Sequence, residues 1–318
     1  MSRLLGTFAA VAVTLTATIT LTTTTVGSAA AQEPVPRAVS LIGSDLHLPH
    51  GRVVHLPAAA GGQAVLLGTV RDGWVVASGD SFRLVRPDGR VRTIAARDRT
   101  NPEVTESLSA DGRWITSSAV DQADAVTLTV VDLQGREVLG GWYQNLGGDV
   151  LAATRGRVYV GGWGGLRFLD RSTSRPTRVL DEPAYLVDPA HETVFVDGPA
   201  AGVGPTDLDA PGAPRWHARF EPAAVSPDGR HVVGREGTVR SMTNGRVVRR
   251  VPVPQVGDGG FRFLGWASSR RVLLERPDGR RRTALVSCPV PRGSCRPVGS
   301  TLGAVSVPTS HAGPYHQP

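Results

Sequence analysis

The strongest constraint on the fold is a motif that recurs through most of the chain: a short polar turn followed at once by a β-branched, apolar run. Six such turns occur, with their third residues spaced 35 to 44 residues apart. These third residues are Gly73, Gly112, Gly156, His191, Gly229 and Arg270. A period near 40 residues is the length that four short antiparallel strands and their turns require. The repeat therefore predicts a series of similar four-stranded units.

Each unit is predicted to contain two hairpins. An apolar strand precedes the repeated turn, and a second hairpin follows whose turn carries residues that tolerate positive φ, such as Asp-Gly or Asn-Gly. The six second hairpins cover residues 81–95, 127–142, 165–180, 206–220, 238–251 and 282–298. No amphipathic helix of 10 to 15 residues is evident, which disfavours α/β folds. The fold class expected is all-β, a β-propeller.

The two ends of the repeat predict how the propeller closes. Residues 45–56 match the second hairpin but lack a first one, while residues 301–308 match a first strand with nothing after it. Together they would form one composite blade, which protects the exposed edges of a linear array. We expect seven blades, the composite one with three strands. The alternative is six blades with the N-terminal hairpin packed outside.

Two of the turns, Ser109–Arg113 (SADGR) and Ser226–Arg230 (SPDGR), carry a Ser-x-Asp-Gly sequence before an apolar strand. This pattern resembles the repeat of TolB-like and WD-repeat-like β-propellers, and the resemblance covers the predicted mature chain. It implies an exported propeller that acts as a binding platform. TolB itself has six blades and an additional N-terminal domain, for which this sequence has no room.

The N-terminal residues have the pattern of a Sec-type signal peptide. Arg3 is followed by an apolar, Thr-rich stretch at residues 4–26 and by Ala29-Ala30-Ala31, so we expect cleavage after Ala31. An uncleaved membrane anchor is the alternative. A twin Arg and a nearby Cys are absent, so Tat export and lipoprotein anchoring are not supported. The expected regions are a signal peptide at 1–31, a linker at 32–43, the propeller at 44–308 and a flexible tail at 309–318.

The two cysteines, Cys288 and Cys295, are separated by a turn that contains Pro291 and Gly293. Their spacing suits facing positions on a hairpin, and export makes oxidation reasonable, so we predict a disulfide bond between them. The spacing does not fit a CxxC redox motif or a zinc site, and the chain has no second cysteine pair.

Loops that converge at the mouth of a propeller channel are the usual place for a ligand. The loops between second and third strands supply the candidate ligand-binding residues Asp80, Asp121, Asp124, Trp163, Asp197, Arg235 and Glu236. Carboxylates and imidazoles do not recur from blade to blade, so we predict no metal, no cofactor and no catalytic residue. Solvated turn residues are the alternative interpretation.

Basic charge is concentrated near the C-terminus. Residues 235–296 contain 14 Arg and four acidic residues, and the chain has no Lys. A basic sector on an exported protein can bind an anionic partner. The candidate patch is Arg249, Arg250, Arg270, Arg271, Arg280, Arg281 and Arg282. Alternatively, these side chains keep the outer strands soluble. Nucleic acid is not expected, since no aromatic series accompanies the arginines.

The sequence as a whole favours a secreted or envelope-associated, non-catalytic propeller. We expect a monomer that binds a protein or an anionic envelope polymer and keeps no membrane span after signal cleavage. The alternative is a propeller enzyme of the lactonase, lyase or quinoprotein type with its site at the channel mouth.

The signal peptide makes a direct prediction: the secreted chain begins at Gln32. Expression in a secreting bacterial host, followed by N-terminal sequencing and intact-mass measurement of the protein in the medium, checks this. A chain that stays in the membrane fraction with residues 4–26 still attached would establish the anchor instead.

Overall fold

The computed structural model describes a large part of the region expected to form the propeller. The described ranges are 39–48, 51–57, 64–97, 104–109, 111–120, 125–143, 148–154, 156–162, 165–198, 202–251, 262–277, 282–302 and 305–306. The expected signal peptide and C-terminal tail lie outside these residues.

Within the described residues, 27 strands form seven antiparallel sheets. The first are β1 (Ser40–Ile42), β2 (Asp45–His47), β3 (Val53–His55), β4 (Val65–Val70), β5 (Gly73–Ser78), β6 (Ser81–Val85), β7 (Val91–Ala96), β8 (Val104–Leu108) and β9 (Trp114–Val120). There follow β10 (Val126–Asp132), β11 (Glu137–Tyr143), β12 (Asp149–Ala153), β13 (Arg157–Gly162), β14 (Gly165–Asp170), β15 (Pro176–Leu180), β16 (Ala184–Asp188), β17 (Thr193–Gly198) and β18 (Gly202–Asp207). The last are β19 (Pro222–Val225), β20 (His231–Gly234), β21 (Thr238–Ser241), β22 (Val247–Arg250), β23 (Arg262–Ser268), β24 (Arg271–Pro277), β25 (Arg282–Pro289), β26 (Arg296–Leu302) and β27 (Val305–Ser306).

Six blades are each built from one continuous stretch of chain, which confirms the predicted all-β propeller. Blade 1 is β4–β7, blade 2 is β8–β11, blade 3 is β12–β15, blade 4 is β16–β18, blade 5 is β19–β22 and blade 6 is β23–β26. The first strands of blades 1 to 5 contact one another in succession, so they line the centre of the ring. The described residues also contain one 3-10 turn, Pro189–His191, which connects β16 to β17.

A further sheet, the composite blade, combines both ends of the chain in the order β27-β1-β2-β3. Strand β27 pairs with β1 through Leu41 opposite Ser306 and Ile42 opposite Val305. Strand β1 lies inside the segment expected to be a linker, so this sheet has four strands where we expected three. Leu41 is 2% exposed, and its burial in the adjacent core accounts for the order of so short a strand.

The core consists of clusters that each span two neighbouring blades. All residues of β5 are buried. Successive side chains alternate between the two faces of the sheet, and both faces are covered by neighbouring blades. Trp74 and Val76 pack with the composite blade, whereas Val75 and Ala77 pack with blade 2. Each blade therefore buries both faces only when it has a neighbour on either side.

The two Ser-x-Asp-Gly turns adopt the same hydrogen-bonded structure. Ser226 Oγ donates to Asp228 Oδ1 at 2.7 Å and accepts from the His231 N–H at 2.9 Å. Ser109 makes the equivalent bonds at 2.6 and 2.9 Å. Burial opposes ionisation of Asp228, but the Ser226 hydroxyl and the Arg230 N–H outweigh it and lower the pKa of the carboxyl. The motif thus has a structural role: it closes the first turn of a blade.

Blade 4 departs from the prediction because the hairpin expected at 206–220 does not form. The blade ends at β18, and only Val203 makes an isolated bridge, to Ala218. Two prolines in this stretch, Pro211 and Pro214, lack the N–H that a ladder needs. The segment after β18 covers the edge of the sheet as an irregular strap.

Donors on the outer edge of one blade bind carbonyl oxygens in the outer turn of the next. The Arg92 guanidinium donates to Leu133 O at 2.7 Å, and Trp216 Nε1, in the strap of blade 4, donates to Met242 O at 2.8 Å. Arg52 of the composite blade donates to Asp88 O of blade 1. We call these contacts, together with the equivalent one made by Arg249, the outer clasps.

Arg249 makes the outer clasp between blades 5 and 6. It donates to Pro289 O, to Gly293 O at 2.9 Å and to Cys295 Sγ at 3.3 Å. The predicted disulfide between Cys288 and Cys295 is confirmed, and it closes the loop that carries these acceptors. The clasp therefore holds a covalently closed turn.

The buried carboxylate of Asp132 predicts a pH dependence of stability. Burial opposes its ionisation, but hydrogen bonds from Arg136 and the Gln134 N–H outweigh this and hold the pKa of Asp132 below its usual 3.8. A lowered folded-state pKa stabilises the fold above about pH 4 and loses that contribution as the pH falls through the folded-state pKa. Asp132→Asn should cost about 1 to 3 kcal/mol at pH 7, a deficit that narrows toward pH 3.

Denaturant unfolding at both pH values measures this difference. Asp88→Asn is the matched control, since Asp88 occupies the equivalent turn of blade 1 with 52% of its side chain exposed. Equal losses in the two variants would show that burial is not the cause.

Replacing Arg249 with Lys should destabilise the protein by about 1 to 2 kcal/mol, because an ammonium cannot span the carbonyl acceptors that the planar guanidinium reaches. Arg250→Lys, at the next and exposed position, should change the unfolding free energy by less than about 0.5 kcal/mol. Thermal and denaturant unfolding of both variants checks this. A loss at Arg250 as large as at Arg249 would contradict the clasp.

Candidate functional site

The antiparallel strands give the propeller two different faces. The turn face carries the tight turns from first to second and from third to fourth strand. The loop face carries the loops from second to third strand and the connections to the next blade. Of the predicted ligand-binding residues, Asp80, Asp197, Arg235 and Glu236 lie at the loop face. Asp121, Asp124 and Trp163 lie outside the described residues.

Asp197, near the end of β17, is joined to Tyr185 on the innermost strand of the same blade. The Tyr185 hydroxyl donates to Asp197 Oδ1 at 2.9 Å, and both side chains are half-buried. Burial raises the pKa of Tyr185, and the hydrogen bond to Asp197 and the negative charges of Asp197 and Glu221 raise it further. The phenol therefore stays protonated at neutral pH and acts as a hydrogen-bond donor.

Arg235, after β20, pairs with Glu221, which precedes β19 in the connection from blade 4. Arg235 Nη1 lies 3.0 Å from Glu221 Oε1, and the Arg235 N–H donates to Glu221 O at 2.9 Å. Each side chain is 54% exposed, so the pair is accessible from solvent. The hydrogen bond from the Arg235 N–H to Glu221 O fixes the backbone positions from which the two side chains extend.

Tyr185 and Asp197 of blade 4 and the Glu221–Arg235 pair beside blade 5 lie on the same loop face, and we call these four side chains the Tyr185 cluster. The negative charge of Glu221 adds to the effects that raise the pKa of Tyr185. Two carboxylates and one guanidinium give the cluster a net charge of −1 at neutral pH. The carboxylates of such a group can bind a cationic side chain of a ligand, and the Tyr185 hydroxyl can donate to a hydrogen-bond acceptor of the same ligand.

Glu236 interacts within its own blade. Its carboxylate lies against Gly234, where an added Cβ would clash with it. Burial lowers the pKa of Arg240, and the negative charge of Glu236 partly offsets that effect. Glu236 thus balances a half-buried arginine of its own blade.

Asp80 lies at the loop face of blade 1, away from the Tyr185 cluster. Its carbonyl accepts the Arg97 N–H at 2.7 Å, and its side chain is exposed. Arg97 in turn forms an ion pair with Glu106 on the first strand of blade 2, with side chains 13% and 4% exposed. Burial of this pair makes it a structural link between blades.

The described members of the predicted basic patch lie at several different places in the fold. Arg249 is engaged in its outer clasp, and Arg280 and Arg281 lie outside the described residues. Arg271 begins β24 beside the turn face, whereas Arg282 begins β25 at the other end of the same hairpin. Six residues of strand separate the two ends by roughly 20 Å. Arg270 accompanies Arg271 at the turn face, and Arg250 ends β22 toward the loop face.

Sequence reasoning missed Tyr185 and Glu221. It considered only loops from second to third strands, but connections from one blade to the next reach the same face. The signal that could have found them is a polar residue in a connection between blades, as for Glu221, or near the start of an innermost strand, as for Tyr185.

Across the described residues, no three His, Cys, Asp or Glu side chains are grouped so that they could hold a metal ion. No helix in the described part of the chain is long and apolar enough to cross a membrane.

No protein-family model matches the chain, and no curated protein matches it in sequence. Among solved structures, the chain is similar to the AfRom2 CNH domain, at 11% identity and a TM-score of 0.52 over 75% of this chain and 84% of that one. A chain of the mitotic checkpoint complex matches at 12% identity and a TM-score of 0.51, over 83% and 93% respectively. TolB from Acinetobacter baumannii matches at 12% identity and a TM-score of 0.47, over 78% and 63%. At these identities the likeness shows the β-propeller fold alone.

Proposed function

We propose that this chain is an exported, non-catalytic β-propeller that binds a partner through the Tyr185 cluster on its loop face. The observation that carries the proposal is the presence of two polar pairs, Tyr185–Asp197 and Glu221–Arg235, on the loop face of neighbouring blades, with each side chain of the second pair 54% exposed. Paired polar groups on a rigid scaffold are suited to recognition.

The charges of the cluster indicate which partner chemistry it fits. Asp197 and Glu221 outnumber Arg235, so a basic side chain can replace part of the pairing without leaving an unpaired charge. The preferred partner is therefore a protein segment that carries Lys or Arg. This binding would occur at the cell envelope or outside the cell, following from the proposed signal peptide.

The chemistry of Tyr185 favours binding over catalysis. A general base or nucleophile needs a pKa near or below the working pH. Burial and Asp197 raise the pKa of Tyr185, so its phenol donates a hydrogen bond and does not accept a proton. The alternative of a propeller enzyme would need another group for that role.

Selection of a random peptide library on the purified chain tests the proposal. We expect the selected peptides to be rich in Lys and Arg. Their affinity should fall at least about tenfold for Tyr185→Phe and for Asp197→Asn, because each change removes one partner of a half-buried pair. Isothermal titration calorimetry measures the affinities.

Asp72→Asn is the matched control, since Asp72 is an exposed carboxylate in a turn at the other face. It removes the same charge and should leave the affinity unchanged. Peptides that bind the Asp197→Asn variant as tightly as the parent would refute the site, as would equal weakening by Asp72→Asn.

A further inference from the structure

The outer turns at the turn face carry exposed arginines over four consecutive blades. Blade 5, blade 6, the composite blade and blade 1 each place at least one there. The six residues, which we call the arginine arc, are Arg246, Arg292, Arg296, Arg52, Arg86 and Arg90. All six are exposed. The positive charge that the sequence places near the C-terminus therefore extends to the composite blade and to blade 1.

These turns contain one acidic residue, Asp88, and its acceptors are partly occupied. Asp88 Oδ1 accepts the Arg90 N–H at 2.9 Å, and its carbonyl accepts from Arg52. The Asp88 carboxylate lies 3.4 Å from Arg90 Nε. Even with this pair counted as neutral, the arc keeps a large positive excess.

The arc follows the order of the blades. The Arg249 clasp joins blade 5 to blade 6, and Arg52 joins the composite blade to blade 1. Only residues 303 and 304 separate β26 of blade 6 from β27 of the composite blade. The arginines therefore trace a curved line along one rim, on the face opposite to the Tyr185 cluster.

We propose that the arginine arc binds a linear anionic polymer of the cell envelope that carries phosphate, sulfate or carboxylate groups. The planar guanidinium binds such groups with two parallel hydrogen bonds, and a line of charges fits a chain better than a compact ligand. The proposal depends on the proposed export but not on the loop-face site.

The apolar side chains beside the arc favour a polymer over a lipid surface. Val53, Val91 and Val247 are 38%, 39% and 41% exposed. They are smaller than the Trp, Phe and Leu side chains with which interfacial anchors enter a bilayer.

Binding of heparin and of inorganic polyphosphate to the full chain, measured over a range of salt concentrations, tests the arc. The triple variant Arg90→Ser, Arg246→Ser, Arg292→Ser should bind at least about tenfold more weakly. Its plot of log affinity against log salt should be shallower by about two to three units, since three counterion-releasing contacts are lost. The control triple Arg113→Ser, Arg219→Ser, Arg250→Ser removes the same charge from exposed positions outside the outer turns and should bind like the parent.

Several results would overturn the proposal. Equal weakening in the two triple variants would show attraction by net charge alone. No binding of the parent to either polymer would also refute it, and so would binding to phosphatidylglycerol vesicles without binding to the polymers. Asp197→Asn should leave polymer binding unchanged, so failure of the arc and failure of the loop-face site can be told apart.

Discussion

Two antiparallel residue pairs, Leu41 with Ser306 and Ile42 with Val305, join the ends of the chain. Blades 1 to 5 each bury both of their faces against neighbours, so blade 1 needs a further sheet on its outer side. The composite blade supplies that sheet: Leu46 and Val54 pack against blade 1, and β27 pairs with β1. This closure therefore holds the composite blade, and with it the outer face of blade 1, in place.

Because packing covers the faces of the sheets, polar side chains that could bind a ligand are found at the ends of the strands. The two ends differ in how their carboxylates are used. At the turn face, Asp111, Asp132 and Asp228 accept hydrogen bonds from the turn backbone and stabilise the hairpins. At the loop face, Asp197 and Glu221 face side chains, which leaves them able to exchange partners.

Local chemistry made part of this architecture predictable. The repeated turns identified six blades, the cysteine spacing identified the disulfide, and the loop register brought Asp197 and Arg235 to one face. Features that depend on contacts between blades were not predictable in the same way. Strand β1 is three residues long and is stabilised by its pairing and its burial, and Glu221 reaches the site from a connection between blades. In blade 4 the prolines override a turn that resembled its counterparts.

The same separation between local and inter-blade effects explains the arginines. A turn arginine such as Arg90 or Arg246 looks equivalent in sequence to Arg92 or Arg249, which lie on the strands that follow. The difference is whether a carbonyl of the next blade lies within reach, as Leu133 O does for Arg92. An arginine with such an acceptor stabilises the ring, whereas Arg90 and Arg246 remain at the rim. Arg52 does both, since it donates to Asp88 O and stays exposed. Arginine content alone therefore cannot identify a binding surface in this fold, whereas position relative to the neighbouring turn can.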